Sequence, residues 1–111
     1  LALSVAERML RKVGFDVVAA SNGPDALKAF KRLKTQIDLV VLDIIMPGMD
    51  GADVFRELKT LNPDVKVILA SGYSVNGQAG AIMKEGAVGF VQKPFTISEL
   101  GSAINHALSG R

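Results

Sequence analysis

The stretch that most restricts what this chain can fold into is Leu39-Val40-Val41-Leu42-Asp43-Ile44-Ile45-Met46-Pro47-Gly48-Met49-Asp50-Gly51, an apolar run that stops on an aspartate and then on a Pro/Gly turn. Four consecutive apolar residues, 39–42, leave no polar face, so the run reads as a strand buried on both sides, as strands of parallel sheets are. A carboxylate at the end of such a strand stands at the mouth of the sheet, the edge at which open α/β sheets bind ligands. Asp43 is therefore read first as a functional group, with a cap on the following turn as the plainer alternative.

The flanking segments supply what a parallel sheet needs. Val5, Met9 and Val13 recur at helical spacing before Gly14, which predicts a helix over 2–13, and residues 16–20 (Asp-Val-Val-Ala-Ala) read as a strand. Asn22-Gly23 makes a turn, Pro24 suits a first helical position, and Ala26, Leu27, Phe30 and Leu33 give one apolar face to about residue 34. After the loop at 46–51, in which Met46 and Met49 read as packing and Asp50-Gly51 as a cap, Val54, Leu58 and Leu61 space a third helix ended by Asn62-Pro63. Residues 65–70 form another buried strand closed by Ser71-Gly72. A weaker helix at 75–85, with Ala79 and Ile82 inward, stops at Gly86, and 88–92 is a last short strand. Thr96-Ile97-Ser98-Glu99 is a capping box for a final helix on Ile97, Leu100, Ile104 and Leu108. Alternating helices and strands in this order predict a parallel sheet covered on both faces by right-handed crossovers. That topology puts Asp43, Ser71 and Lys93 on three strand ends at one edge.

Composition narrows the function classes. With 111 residues, 49% apolar residues and a mean hydropathy of +0.30, the chain reads as one globular domain over 1–111. Its apolar runs fall far short of the ~20 residues that span a bilayer, and its start lacks a signal-peptide pattern, so a cytoplasmic protein without membrane insertion is expected. No cysteine and one histidine disfavour disulfides, thiol catalysis and zinc. A formal charge of +2 is a weak imbalance. The basic run Lys28, Lys31, Arg32 and Lys34 lies on one helix without interleaved aromatics and reads as a solvated face, so direct nucleic-acid binding is not expected. His106, near the end of the last helix and without an acidic neighbour, reads as a surface residue rather than a phosphodonor.

Asp43 with Met46-Pro47-Gly48-Met49-Asp50-Gly51, Ser71 within Ile68-Leu69-Ala70-Ser71-Gly72-Tyr73, and Lys93-Pro94-Phe95 after Gly89-Phe90-Val91 together resemble the receiver domain of two-component response regulators, over essentially the whole chain. The resemblance implies a flavodoxin-like (CheY-like) doubly wound parallel sheet of strand order 2-1-3-4-5. It implies a phosphoryl group taken from a histidine kinase or histidine phosphotransfer domain onto Asp43, in phosphorelay signal transduction rather than enzymatic turnover. Lys93 would neutralise one phosphoryl oxygen and Ser71 would hydrogen-bond a second. Mg²⁺ would cover the third, held by Asp43 and the backbone carbonyl of Ile45. Phe90 matches an aromatic switch position working with Ser71, and a cis Lys93-Pro94 bond is expected. The face formed by 75–108 would carry the signal to an output domain, an effector or a second copy of the chain. The residue chemistry agrees: a carboxylate attacks a phosphoryl donor only where charge on the equatorial oxygens is neutralised.

The sequence departs from that family at its start. The family opens with a strand ending in a metal-binding acidic pair, whereas no Asp or Glu precedes Glu7 here and Leu1-Ala2-Leu3 is too short for strand and loop. That strand is central in the 2-1-3-4-5 order, and its loss would leave two rows of buried backbone groups unpaired, each at about 1–3 kcal/mol. The expectation is a receiver domain incomplete at its N-terminus, with the acidic pair upstream of Leu1. The segments around Ser71 and Lys93 look most like receivers of hybrid histidine kinases. A pseudo-receiver that docks proteins without phosphorylation is the alternative function. A haloacid-dehalogenase-like phosphatase would need an Asp at the position of Ile45.

Overall fold

Helix ends in this chain are closed by the residues the sequence offers for the purpose. In the computed structural model, which describes residues 2–33, 35–46, 49–72 and 78–109, helix α1 (Ala2–Lys12) ends where Gly14 adopts φ 103°. The Gly14 N–H donates to the Arg11 carbonyl (3.1 Å) and the Phe15 N–H to the Leu10 carbonyl (3.0 Å), the paired bonds of a left-handed glycine stop. Helix α2 (Gly23–Leu33) opens on Asn22, whose side chain accepts from the Asp25 N–H (2.8 Å) and donates to the Asp25 carboxylate (3.0 Å). Helix α3 (Gly51–Leu61) is capped by Asp50, which accepts from the Ala52 N–H (2.7 Å), and closes at Asn62. Helix α4 (Gln78–Lys84) ends on a second glycine stop, Gly86 at φ 121°. Helix α5 (Ile97–Leu108) begins with the expected capping box between Thr96 and Glu99.

Between these helices lie β1 (Val40–Asp43), β4 (Val67–Ser71) and β5 (Gly89–Gln92), which form a parallel sheet of order β1-β4-β5. Val40 lies opposite Val67 and Asp43 opposite Ala70, while Ile68 faces Gly89 and Ser71 faces Gln92. All five residues of β4 are buried, as befits the middle strand. Side chains alternate between two cores. Val40, Leu42, Val67, Leu69 and Phe90 face a cluster with Phe30, Val54, Phe55, Leu58, Ile82 and Ala87, under α2, α3 and α4. Leu39, Val41, Ile68, Ala70 and Val91 face a second cluster with Leu10, Phe15, Leu100, Ile104 and Ala107, under α1 and α5. Helices on both faces of a parallel sheet are the doubly wound α/β architecture that the alternating pattern predicts.

Three expectations need correction. Residues 16–20 are not a strand: 15–20 run without ladder partners, Val18 is 56% exposed, and the Val17 carbonyl is taken by the Arg11 guanidinium at 2.8 Å. No strand among the described residues lies beside this segment to pair with it. The loop at 46–51 contains a short antiparallel ladder, β2 (Ile45–Met46) against β3 (Met49–Asp50), with Ile45 opposite Asp50 and Met46 opposite Met49. The predicted strands at 65–70 and 88–92 begin their ladders later, at Val67 and Gly89, although Val88 already donates to the Val67 carbonyl (2.8 Å). The first part of the predicted 75–85 helix, Lys34, and the packing of the Met46 and Met49 side chains lie outside the described residues.

Candidate functional site

The ends of the three parallel strands are tied together by backbone bonds that continue past the ladders. The Ile44 N–H donates to the Ala70 carbonyl (3.0 Å) and the Lys93 N–H to the Ser71 carbonyl (2.7 Å), so the residues after β1 and β5 both hang on the end of β4. Asp43 and Lys93 are thereby held on either side of Ser71. The Lys93 ammonium donates directly to Asp43 Oδ2 across the top of the middle strand, a contact between residues fifty apart in sequence. Their side chains are 28% and 34% exposed. A small anion can reach them, yet they are withdrawn enough from water to interact more strongly than a surface pair. Ser71 is 3% exposed, the buried polar side chain among the described residues. No buried side-chain polar atom among them lacks a hydrogen-bond partner.

The turn after Asp43 is fixed from three directions. The Ile45–Asp50 ladder closes it, Asp50 caps α3, and Gly51 lies so close to Ile44 that a Cβ built there would stand 2.5 Å from the Ile44 carbonyl oxygen. Only a residue without a side chain permits that approach. The Lys93-Pro94 bond is cis, as expected. Phe90 is half-buried on β5, packed against the core under α2, α3 and α4. It also borders an open groove of about 390 Å³ with Gln92, Phe95, Ser98 and Ser102. His106 and the described members of the basic run, Lys28, Lys31 and Arg32, are exposed, as their sequence context predicts.

The described residues bring one carboxylate and the backbone of Ile45 to this edge, and no group of three or more His, Asp or Glu side chains able to hold a metal occurs among them. Mg²⁺ takes six oxygen ligands in near-octahedral geometry. The described residues alone do not make a metal cage.

Sequence reasoning missed a contact outside this cluster. Arg56 on α3 forks onto Glu85, just past α4, with Nε to Oε1 and Nη2 to Oε2 both at 3.0 Å. The partners are 29 residues apart, so no helical spacing announces them.

An aspartate hydrogen-bonded to a lysine beside a buried serine, on adjacent strand ends of a parallel sheet covered by helices on both faces, is the arrangement the described residues show. The description "Response regulator receiver domain" matches residues 1–105, and the chain belongs to that family, the receivers of two-component signalling. It is 36% identical to the sensor kinase CckA of Brucella abortus across 91% of this chain but 11% of that protein. It is 35% identical to the chemotaxis protein CheY of Thermotoga maritima across 87% of this chain and 80% of that one. A response regulator receiver domain protein of Clostridium thermocellum superposes with a TM-score of 0.91 at 34% identity, covering 96% of this chain and 85% of that one. Relatives thus include both a protein little longer than this chain and one in which the matching region is a ninth of the whole. No helix of the described residues is long and apolar enough to cross a membrane.

Proposed function

We propose that Asp43 is a phosphoacceptor that takes a phosphoryl group from the phosphohistidine of a histidine kinase or histidine phosphotransfer domain. The observation that carries this reading is the Lys93 ammonium seated on the Asp43 carboxylate at the strand ends, with Ser71 on the strand between. An Asp43 oxygen attacks phosphorus, the new P–O bond forms as the P–N bond breaks, and the imidazole nitrogen keeps the electron pair and takes a proton from solvent. Little covalent chemistry is asked of the protein, so positioning and charge decide the rate. Lys93 is already placed to follow the negative charge from the carboxylate to the phosphoryl oxygens, and the Ser71 hydroxyl supplies a donor to another. Mg²⁺, which the receiver resemblance implies, would supply further charge neutralisation when bound.

Phosphorylation is read out, in this proposal, through Ser71 and Phe90 to the face formed by α4, β5 and α5, where an output domain, an effector or a second copy would bind. A tenfold change between two packings needs only ~1.4 kcal/mol of differential contact with the phosphoryl group. Intact-mass measurement after incubation with acetyl phosphate and Mg²⁺ tests the acceptor. One added phosphoryl group is expected in the intact domain, with the N-terminal strand and acidic pair the family carries, and none in its Asp43→Asn variant. Equal labelling of both overturns the assignment of Asp43, and absence of label in the wild type leaves the phosphorylation-independent docking reading in its place.

A further inference from the structure

Of the two helices on the proposed switching face, α4 is the one whose two ends are held very differently. Toward its start, among the residues whose side chains are described, the small side chain of Ala79 meets the core, followed by Gly80, which weakens the helix. Toward its end, Ile82 is fully buried, Met83 packs against the same core, and Ala87 is buried behind the Gly86 stop. That stop is closed by Gly86 N–H to the Met83 carbonyl (3.1 Å) and Ala87 N–H to the Ile82 carbonyl (3.4 Å). On the outside, Arg56 of α3 grips Glu85 through two 3.0 Å bonds. Its guanidinium is already oriented by Asp53 (3.5 Å), so less freedom is lost in making the fork. Lys59, one turn further along α3, lies against Gly86: a Cβ there would stand 3.5 Å from its Cε. The start of α4 is the end that follows β4 and Ser71.

We propose that the Arg56–Glu85 fork is the pivot of α4, pinning its C-terminal end to α3 so that motion set off at Ser71 swings the N-terminal end and dies out before Gly86. This rests on the reading of Asp43 as the phosphoacceptor for its role in switching, but the pin itself exists in the unmodified protein. Arg56 is a positioning residue here, remote from the reacting atoms. The pair is exposed, so its grip also weakens with added salt.

Amide hydrogen exchange read residue by residue, with and without beryllofluoride and Mg²⁺, tests the pivot in the wild type, in Arg56→Gln, and in the charge-swapped double variant Arg56→Glu/Glu85→Arg. In the wild type, beryllofluoride should change exchange severalfold at residues 79–83 and leave Glu85, Gly86 and Ala87 within twofold. In Arg56→Gln without any ligand, the amides of 85–87 should exchange about three- to tenfold faster, while those of β4 stay unchanged. The swapped variant should recover at least half of that loss. Equal beryllofluoride responses at both ends of α4, or unchanged 85–87 amides in Arg56→Gln, overturn the pivot. A wild type that shows no response even at Asp43 and Ser71 overturns the phosphoacceptor reading instead, and the ligand-free comparison still decides whether the fork pins the helix.

Discussion

Adding one methyl group to Gly51 should destabilise this protein, and adding one to Gly101 should stabilise it. At Gly51, the first residue of α3, a Cβ would stand 2.5 Å from the Ile44 oxygen and 2.8 Å from the Ile44 Cα. These are backbone atoms that no rotamer change can move, so either α3 or the turn after Asp43 must give way. Overpacking of this kind costs about 1–3 kcal/mol. The alanine returns about 0.5–1 kcal/mol through helix propensity, leaving a net loss of about 1.3 kcal/mol at mid-range and at most about 2.5 kcal/mol. At Gly101, inside α5, nothing lies within 4 Å of the new Cβ, so the propensity gain of about 0.5–1 kcal/mol stands alone. With a urea m-value of about 1.5 kcal/mol/M, Gly51→Ala lowers the unfolding midpoint by about 1 M and Gly101→Ala raises it by about 0.5 M. Urea titration followed by circular dichroism at 222 nm resolves both. Because Ile44 follows Asp43 directly, Gly51→Ala should also slow labelling by acetyl phosphate, which Gly101→Ala should not. Two shifts of the same sign would refute the close approach of α3 to Ile44 as the reason for glycine at position 51.

Lys93→Ala should alter stability by less than about 1 kcal/mol, because a partly exposed lysine contributes little packing, while labelling of Asp43 falls sharply. A cooperative loss of structure on thermal melting would instead make Lys93 a partner the core requires. The Glu85 carboxyl is held below its ordinary value of 4.5 by the hydrogen bonds from Arg56 and by the charge of that guanidinium. A carboxyl depressed in the folded state adds stability that is full above 4.5 and is lost as pH falls through its lower folded value. Melting curves from pH 7 downward should show the advantage of wild type over Glu85→Gln constant to about that point and shrinking below it; a gap that widens on acidification would contradict the pairing.

Much of the architecture was legible because the signals are local. Thr96 and Glu99 satisfy each other within one turn, Asp50 caps the helix that follows it, and Gly14 and Gly86 sit where a left-handed residue is required. The meeting of Asp43, Ser71 and Lys93 was legible for a different reason: each lies at or just past a strand end, and a parallel sheet aligns strand ends. Residues 16–20 misled because Val17 and Val18 carry β propensity, whereas a strand exists only beside a partner, and here the Val17 carbonyl turns to Arg11. The ladder of Ile45–Met46 with Met49–Asp50 is two residues deep, too short to leave a period. The grip of Arg56 on Glu85 depends on how α3 and α4 lie against each other, which no spacing along the chain encodes.

Lys66 makes the C-terminal helix mechanically part of the sheet. Its carbonyl accepts from the Val40 N–H (2.9 Å) at the start of the central ladder, and its ammonium donates to the carbonyl of Ala107 (3.0 Å) in the last turn of α5. Tension on the end of α5 is thus delivered to the root of β4, whose tip is Ser71, five residues along a strand paired on both sides. The tail of the last helix and the Asp43–Ser71–Lys93 cluster stand at opposite ends of β4.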